Sequence, residues 1–264
     1  MAKKKTTAKA QGGPRIDPET NAPEHIYSER LVAFVDILGW SEACKTESPT
    51  LVQATALIHE RAAGASSARK NDLLSRSPRE LLNPLWFETE FAAFSDNFVV
   101  SQPLDFGERI TEVADLCRHL LRLGFPTRGG LTVGKIHHRD NVVFGPALVE
   151  AADLEKTAIY PRLVVSPALV DLLNKQRPEI GNYWRPTIYD QLGRRVVNLF
   201  NPPIYPFNDQ PLWDHLEEMW GLSEILRVIE VNVDRFTRSR NDKLLEKWLY
   251  LREATELMLA PVHC

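Results

Sequence analysis

The stretch that decides the fold is LVAFVDI, Leu31 to Ile37. It is long, apolar and rich in β-branched residues, and Gly39 bounds it, a pattern typical of a buried central strand. Asp36 is the polar exception within it. A carboxylate in a buried strand costs free energy unless it is paired or binds a ligand, so Asp36 is the first candidate for a functional residue.

The elements that follow this strand alternate between helix and strand patterns. A helix with one apolar face is predicted from Pro49, followed by a long polar excursion over residues 64–84. Two apolar stretches around Ser95, Asp96 and Asn97 predict a β-hairpin with Asp96 at or beside its tip. The remaining pattern predicts, in order, a helix over 110–121, strands over 125–138 and 142–145, a helix over 146–158, and strands over 163–165 and 195–200.

A hairpin inserted between two strand–helix units is the split βαβ arrangement, so the expected fold class is α+β with a ferredoxin-like core. Small residues on the helix that begins at Pro146 predict close packing on the sheet. Apolar stripes over 212–219 and 244–252 predict additional C-terminal helices, packed on their own domain or used for dimerisation. These patterns divide the chain into a disordered basic tail over 1–26, a main domain over 27–205 and a helical extension over 206–264.

Composition excludes several classes of protein. The 264 residues are 44% hydrophobic and 25% charged, as in an average globular protein, and no stretch approaches a membrane span. The first fifteen residues carry five basic side chains and no acidic one, which leaves 27 basic and 35 acidic side chains in the rest of the chain. The rest of the chain therefore has a net charge of about −8, which is unfavourable for binding nucleic acid. The leader lacks an apolar core, and Cys44, Cys117 and Cys264 show no CxxC spacing, so we expect a cytoplasmic protein with free thiols.

Asp36 and Asp96 form a candidate metal site. They are distant in sequence, but the first strand lies beside the hairpin in this topology, so the two carboxylates should be adjacent. Carboxylate oxygens, with the remaining positions left to water and phosphate oxygens, suit one or two hard divalent ions such as Mg²⁺ or Mn²⁺. Such a site prepares phosphoryl or nucleotidyl transfer. The alternative, that Asp96 is an ordinary turn residue, stays open.

Other polar residues are weaker candidates. His137 and His138 point to opposite faces of a strand end, so at most one can reach a phosphate directly. Glu150 and Glu155 are expected to form ion pairs with neighbouring cations, Lys156 or Arg162, rather than to bind metal. The chain lacks the P-loop, GxGxxG, HExxH and GxSxG motifs, which removes the usual sequence support for kinase-like NTPases, Rossmann enzymes, zincins and α/β-hydrolases.

Four blocks of the sequence resemble, in order and spacing, the core blocks of class III nucleotidyl cyclases; they are FVDILGW at 34–40, FSDN at 94–97, RGGLTVG at 128–134 and FGPALVEAADLE at 144–155. The resemblance covers roughly residues 30–170. Within that family, FVDILGW, RGGLTVGKIHH and IYPRLVVSP are most similar to the pyrimidine cyclases of bacterial Pycsar antiphage defence. Those cyclases work with an effector that binds the cyclic nucleotide.

The resemblance implies a class III cyclase fold and a set of site residues. Asp36 and Asp96 take the two metal-binding aspartate positions, with the backbone carbonyl of Ile37 as a further ligand, for two Mn²⁺ or Mg²⁺ ions. Phe34, on the same side of its strand as Asp36, and Asn97 become candidate nucleotide-binding residues, with core packing as the alternative role of Phe34. The implied reaction is attack of the 3′-hydroxyl of a nucleoside triphosphate on its own α-phosphorus, at sites shared between the subunits of a homodimer.

The chain also departs from the purine cyclases. They carry a transition-state Asn and Arg where this chain has Val149 and Asp153, and their purine-reading residues are missing here. The resemblance therefore favours conversion of UTP to 3′,5′-cyclic UMP, with cyclic CMP from CTP as the near alternative; a non-catalytic nucleotide-binding domain and an unusual purine cyclase stay open. Arg128 and Arg162 are candidates for stabilising charge on the phosphates, or else form structural pairs.

Overall fold

The computed structural model describes residues 26–76, 88–104, 110–175, 186–200, 216–217 and 220–259. Almost all of the predicted tail, residues 77–87 and Cys264 lie outside these ranges, as do Leu212 and Met219 of the predicted C-terminal stripe. Cys44 and Cys117 are free thiols, as predicted. Of the helices that are described, none is both long enough and apolar enough to cross a membrane.

The core of the fold is an antiparallel sheet built around the stretch LVAFVDI. Strand β1 (Ser28–Ile37) lies between β3 (Asn97–Pro103) and β4 (Thr127–Arg139), and β2 (Glu90–Phe94) forms the hairpin with β3. The spatial order β2-β3-β1-β4 is that of the ferredoxin-like split βαβ unit, so the predicted α+β fold class is confirmed. Leu31, Val32, Ala33 and Val35 are fully buried because β1 has a neighbour on each side and helices on both faces.

Eight helices surround the sheet in the described ranges: α1 (Trp40–Lys45), α2 (Pro49–Ala65), α3 (Ser67–Arg76), α4 (Thr111–Arg122), α5 (Pro146–Thr157), α6 (Pro167–Lys175), α7 (Leu222–Arg238) and α8 (Asp242–Leu259). Helices α2 and α4 cover the face that carries Leu31 and Val35. Helix α5 covers the opposite face, on Val32. There a Cβ on Gly130 would lie 2.2 Å from the Ala151 carbonyl oxygen, which confirms the predicted close packing of this helix.

Beyond the ferredoxin-like core the sheet continues past β4. Helix α5 connects β4 to β6 (Leu163–Val165), which lies parallel to β4, and β8 (Arg195–Val197) and β7 (Thr187–Tyr189) follow at the edge. The short β5 (Val142–Phe144) pairs with the end of β4. The strand predicted over 195–200 is too long, because the Asn198 side chain accepts a hydrogen bond from the Phe200 amide at 3.0 Å and turns the chain.

The last two helices, α7 and α8, form a second apolar cluster with the edge of the sheet. Ile225 and Trp248 are buried there together with Val196 of β8. An ion pair of 2.6 Å between Arg122 of α4 and Glu224 of α7 adds a polar contact to the same interface. The helix predicted from the stripe over 244–252 is confirmed as α8, whereas most of the stripe over 212–219 lies outside the described residues and α7 was not predicted. Both α7 and α8 pack on their own chain, against the edge of the sheet and α4.

Candidate active site

The end of β1 and the tip of the β2–β3 hairpin meet at one edge of the sheet. Asp36 is the second-last residue of β1, and its register partners are Asn97 on β3 and Arg128 on β4. The Ile37 amide donates a hydrogen bond of 2.7 Å to the carbonyl oxygen of Asp96. The backbone of Asp96 therefore lies beside the end of β1 that carries Asp36.

The hairpin turn holds Asp96 beside β1. Ser95 has a φ of 57°, in the left-handed region that tight turns use. The Asn97 amide group donates to a carboxylate oxygen of Asp96 at 2.9 Å, and both side chains are half-buried. Asn97 thus orients Asp96 in this structure.

Arg128 connects the first aspartate to a second carboxylate. Its Nε atom lies 2.8 Å from Oδ2 of Asp36 and 2.8 Å from Oε1 of Glu155, at the end of helix α5. Only the contact with Asp36 has the geometry of a hydrogen bond, and the Glu155 oxygen is buried without a hydrogen-bond partner among the described residues. The positive charge of one guanidinium therefore faces the negative charges of two carboxylates whose side chains are mostly buried.

Glu155 was missed as a site residue. Its predicted ion pair with Lys156 or Arg162 is wrong: Lys156 pairs with Asp153 at 2.8 Å, and Glu155 turns inward to Arg128. Burial raises the pKa of Glu155, Arg128 opposes the rise, and the negative charge of Asp36 adds to it. The pattern of α5 carried a signal, because Glu155 continues the i, i+4 row of Ala147 and Ala151 that faces the sheet.

Two aromatic rings line the same face of the sheet. Phe34 lies two residues before Asp36 and therefore on its side of β1, and its ring centroid is 6.2 Å from that of Phe94 on β2. Phe34 is half-buried, and Phe94 is 47% exposed. An apolar surface open to solvent thus flanks the carboxylates.

The structure does not bring the side chain of Arg162 to this cluster. Its Nη1 atom donates to Oδ2 of Asp190 at 2.6 Å, in a pair whose side chains are 5% and 0% exposed. Only its backbone carbonyl approaches β4, by accepting from the Gly129 amide at 2.9 Å. Of the two arginines singled out in the sequence, Arg128 is the one whose guanidinium binds Asp36.

The two histidines lie toward the other end of β4. The ring of His137 stacks on Phe144, with centroids 4.8 Å apart. His138 is buried against Ser101, at 2.9 Å, and burial followed by the charges of Arg30 and Lys70 lowers its pKa to about 3. His138 is therefore neutral at physiological pH.

The donor chemistry of the cluster fits a hard divalent cation. Asp36 and Asp96, with the backbone carbonyl of Ile37, would supply oxygen ligands only, as Mg²⁺ and Mn²⁺ prefer. Within the described ranges no group of three or more His, Cys, Asp or Glu side chains is arranged to hold a metal ion. Such an ion would therefore take its remaining ligands from water and from phosphate oxygens of a substrate.

Comparison with known proteins gives only a distant similarity. No protein-family model and no curated protein sequence matches the chain. Two structures of a bacterial light-regulated adenylyl cyclase are similar to it. The first has 18% sequence identity and a TM-score of 0.40, and the match covers 72% of this chain and 56% of that chain. The second has 17% identity and a TM-score of 0.39, and the match covers 69% of this chain and 53% of that chain. The chain spans about half the length of these structures, and the similarity identifies neither a substrate nor a reaction.

Proposed function

We propose that this chain is a divalent-metal-dependent pyrimidine nucleotide cyclase that converts UTP to 3′,5′-cyclic UMP and pyrophosphate. The observation that carries the proposal is the meeting of Asp36 and Asp96 at one sheet edge, with Arg128 bound to the first of them. The four sequence blocks that resemble class III nucleotidyl cyclases lie in this same ferredoxin-like unit. In the reaction the 3′-oxygen bonds to the α-phosphorus, the bond between that phosphorus and the oxygen bridging to the β-phosphorus breaks, pyrophosphate leaves with that oxygen, and the hydroxyl proton passes to water.

The residues of the chain have separable roles in this proposal. The carboxylates of Asp36 and Asp96 provide the negative charge that would hold two ions. When bound, such ions lower the pKa of an attacking hydroxyl and neutralise charge on a leaving pyrophosphate. Arg128 holds the Asp36 carboxylate in one orientation, and the apolar surface of Phe34 and Phe94 offers a wall for the base or ribose.

The pyrimidine preference rests on the resemblance and on what the chain lacks. The positions of the transition-state Asn and Arg of purine cyclases carry Val149, which is 62% exposed, and Asp153, which pairs with Lys156. Neither side chain offers the donors that a purine cyclase uses there. CTP is the alternative substrate, and a nucleotide-binding domain without catalysis is the alternative function.

The biological setting and the assembly follow from the same proposal. A cyclic pyrimidine nucleotide would act as a second messenger in the cytoplasm for a separate effector in antiphage defence, as in the systems that the sequence resembles. Catalysis would take place in a homodimer, with sites shared between subunits.

The test is to incubate the purified protein with Mn²⁺ and, separately, UTP, CTP, ATP and GTP, and to identify products by mass. We expect cyclic UMP and pyrophosphate in equal amounts. Asp36→Asn and Asp96→Asn should each lower turnover about a thousand-fold or more, because a metal site is worth several kcal/mol to the transition state.

Asp234→Asn is the matched control, since within the part of the chain that the structure describes Asp234 forms only an exposed pair with Arg238 on α7. It should turn over like wild type. A cyclic purine product would contradict the substrate assignment. Wild-type turnover by both Asp36→Asn and Asp96→Asn would contradict the metal site itself.

A further inference from the structure

Arg128 lies between two carboxylates that compete for one hydrogen-bond donor. Its Nε atom is 2.8 Å from Oδ2 of Asp36 and 2.8 Å from Oε1 of Glu155. The single hydrogen on Nε points at Asp36 in the structure. Oε1 of Glu155 is buried and accepts no hydrogen bond from the described residues. Glu155 therefore offers Arg128 a second acceptor, at the same distance as the first, that is not in use.

The packing of α5 on the sheet fixes this geometry. Arg128 and Gly130 lie on one face of β4, and Asp36, the register partner of Arg128, lies on the same face of β1. A Cβ on Gly130 would lie 3.0 Å from the Glu155 amide nitrogen, so the lack of a side chain there lets the last turn of α5 approach β4. Glu155 is 8% exposed, so its carboxylate faces Arg128 with little access to solvent.

The charges of these three side chains bear on the affinity of Asp36 for a cation. Asp36 and Arg128 together are neutral, and a guanidinium bound to a carboxylate repels a cation that approaches the same carboxylate. Glu155 gives the three side chains a net negative charge. It also accepts from the same Nε atom without any lengthening of the contact, so Arg128 can release Asp36 and keep a hydrogen bond.

We propose that Glu155 is a positioning residue that takes Arg128 from Asp36 when Asp36 binds a divalent cation. Arg128 turns its Nε–H group from Oδ2 of Asp36 to Oε1 of Glu155, and Oδ2 of Asp36 becomes free to act as a ligand. This inference rests on the proposed function, in which Asp36 binds Mg²⁺ or Mn²⁺. Glu155 itself contacts neither the cation nor the nucleotide and acts through Arg128.

The experiment measures the dissociation constant of Mn²⁺, without nucleotide, from the electron paramagnetic resonance signal of the free ion. Glu155→Gln keeps the shape of the side chain and removes its charge. Asp36 is then the only charged acceptor for Arg128 in this group of three, so the dissociation constant should rise about 10- to 100-fold. The matched control is Glu150→Gln, which removes an exposed carboxylate from the same helix and should change the constant less than about twofold.

A second background, Arg128→Gln, separates a role through Arg128 from a direct one. Without a guanidinium at Asp36, Glu155 has no donor to take away, so adding Glu155→Gln should change the dissociation constant less than about threefold. Circular dichroism checks that each variant is folded. If Arg128→Gln does not fold, the comparison of Glu155→Gln with Glu150→Gln in the otherwise unchanged chain decides.

Three results would overturn the inference. They are a change below about twofold for Glu155→Gln, an equal rise in both backgrounds, which would make Glu155 a direct source of charge for the cation, and a wild type that binds no Mn²⁺ at millimolar concentration. The cyclase proposal is decided separately, by the products of the nucleotide incubations. A wild type that binds Mn²⁺ but cyclises no nucleotide would refute the cyclase proposal alone, and the variants would still decide the role of Glu155.

Discussion

Replacing Asp190 with alanine would leave the guanidinium of Arg162 buried without its counter-charge. Asp190 is 0% exposed in its side chain and accepts from Arg162 and from the Tyr250 hydroxyl, each at 2.6 Å. It also accepts from the backbone amides of Leu192 and Arg194, at 3.0 and 2.8 Å. Burial alone would raise the pKa of Asp190, but these hydrogen bonds and the charge of Arg162 lower it, so the carboxylate is ionised in the folded protein.

The magnitude follows from this burial. Removing one partner of a buried ion pair costs about 3–5 kcal/mol, because the other charge stays buried and uncompensated. For a chain of this size, where about 1 kcal/mol lowers Tm by about 2–4 °C, the expected loss is about 6–20 °C. The same substitution removes the hydrogen bond from the Tyr250 hydroxyl of α8 to Asp190, so the packing of α8 against the sheet edge should also loosen.

The assay is urea unfolding followed by circular dichroism, with Asp234→Ala as the matched control. The Asp234–Arg238 pair is exposed, at 3.3 Å, so its loss should cost less than about 0.5 kcal/mol. The double variant Arg162→Met with Asp190→Leu should recover only part of the stability: an apolar pair can replace the buried ionic one, but the Tyr250 hydroxyl and the amides of Leu192 and Arg194 still lose their acceptor. A loss below about 1 kcal/mol for Asp190→Ala would refute the reasoning.

Two further predictions concern packing and pH. Gly130→Ala would place a methyl group 2.2 Å from the Ala151 carbonyl oxygen, so it should lower the free energy of unfolding in urea by about 1–3 kcal/mol or more. Gly134→Ala, whose Cβ would lie 3.3 Å from the Ala147 Cβ, should lower it clearly less, and equal losses would contradict the packing of α5. The pKa of His138 falls from 6.5 to about 3 on folding, so the unfolded chain binds the proton more readily. The free energy of unfolding should therefore decline as the pH falls below about 6.5. His138→Gln should flatten this decline, and an unchanged pH profile of stability would contradict a buried neutral histidine.

Local pattern predicted the ferredoxin-like core well because its elements carry strong signals. The stretch LVAFVDI has the pattern typical of a buried strand, and the turn residues around Asp96 marked the tip of the hairpin. The helix α6 was missed although Ser166 and Pro167 mark its start, and the Ser166 hydroxyl accepts from the Leu169 amide at 3.1 Å. The edge strand β7 was missed because its three residues, TIY, do not form the uniformly apolar run that marked the equally short β6.

Buried periodicity and turn chemistry are local properties of the chain, so the sequence alone was enough to predict the fold class and to place Asp36 on a central strand and Asp96 at a hairpin. It could not separate Arg128 from Arg162, since both are arginines near predicted strands. Their partners are a property of the tertiary structure, in which Arg128 turns to Asp36 and Arg162 turns to Asp190. Side-chain partners of this kind depend on contacts between residues far apart in the chain, and such contacts leave no periodic pattern.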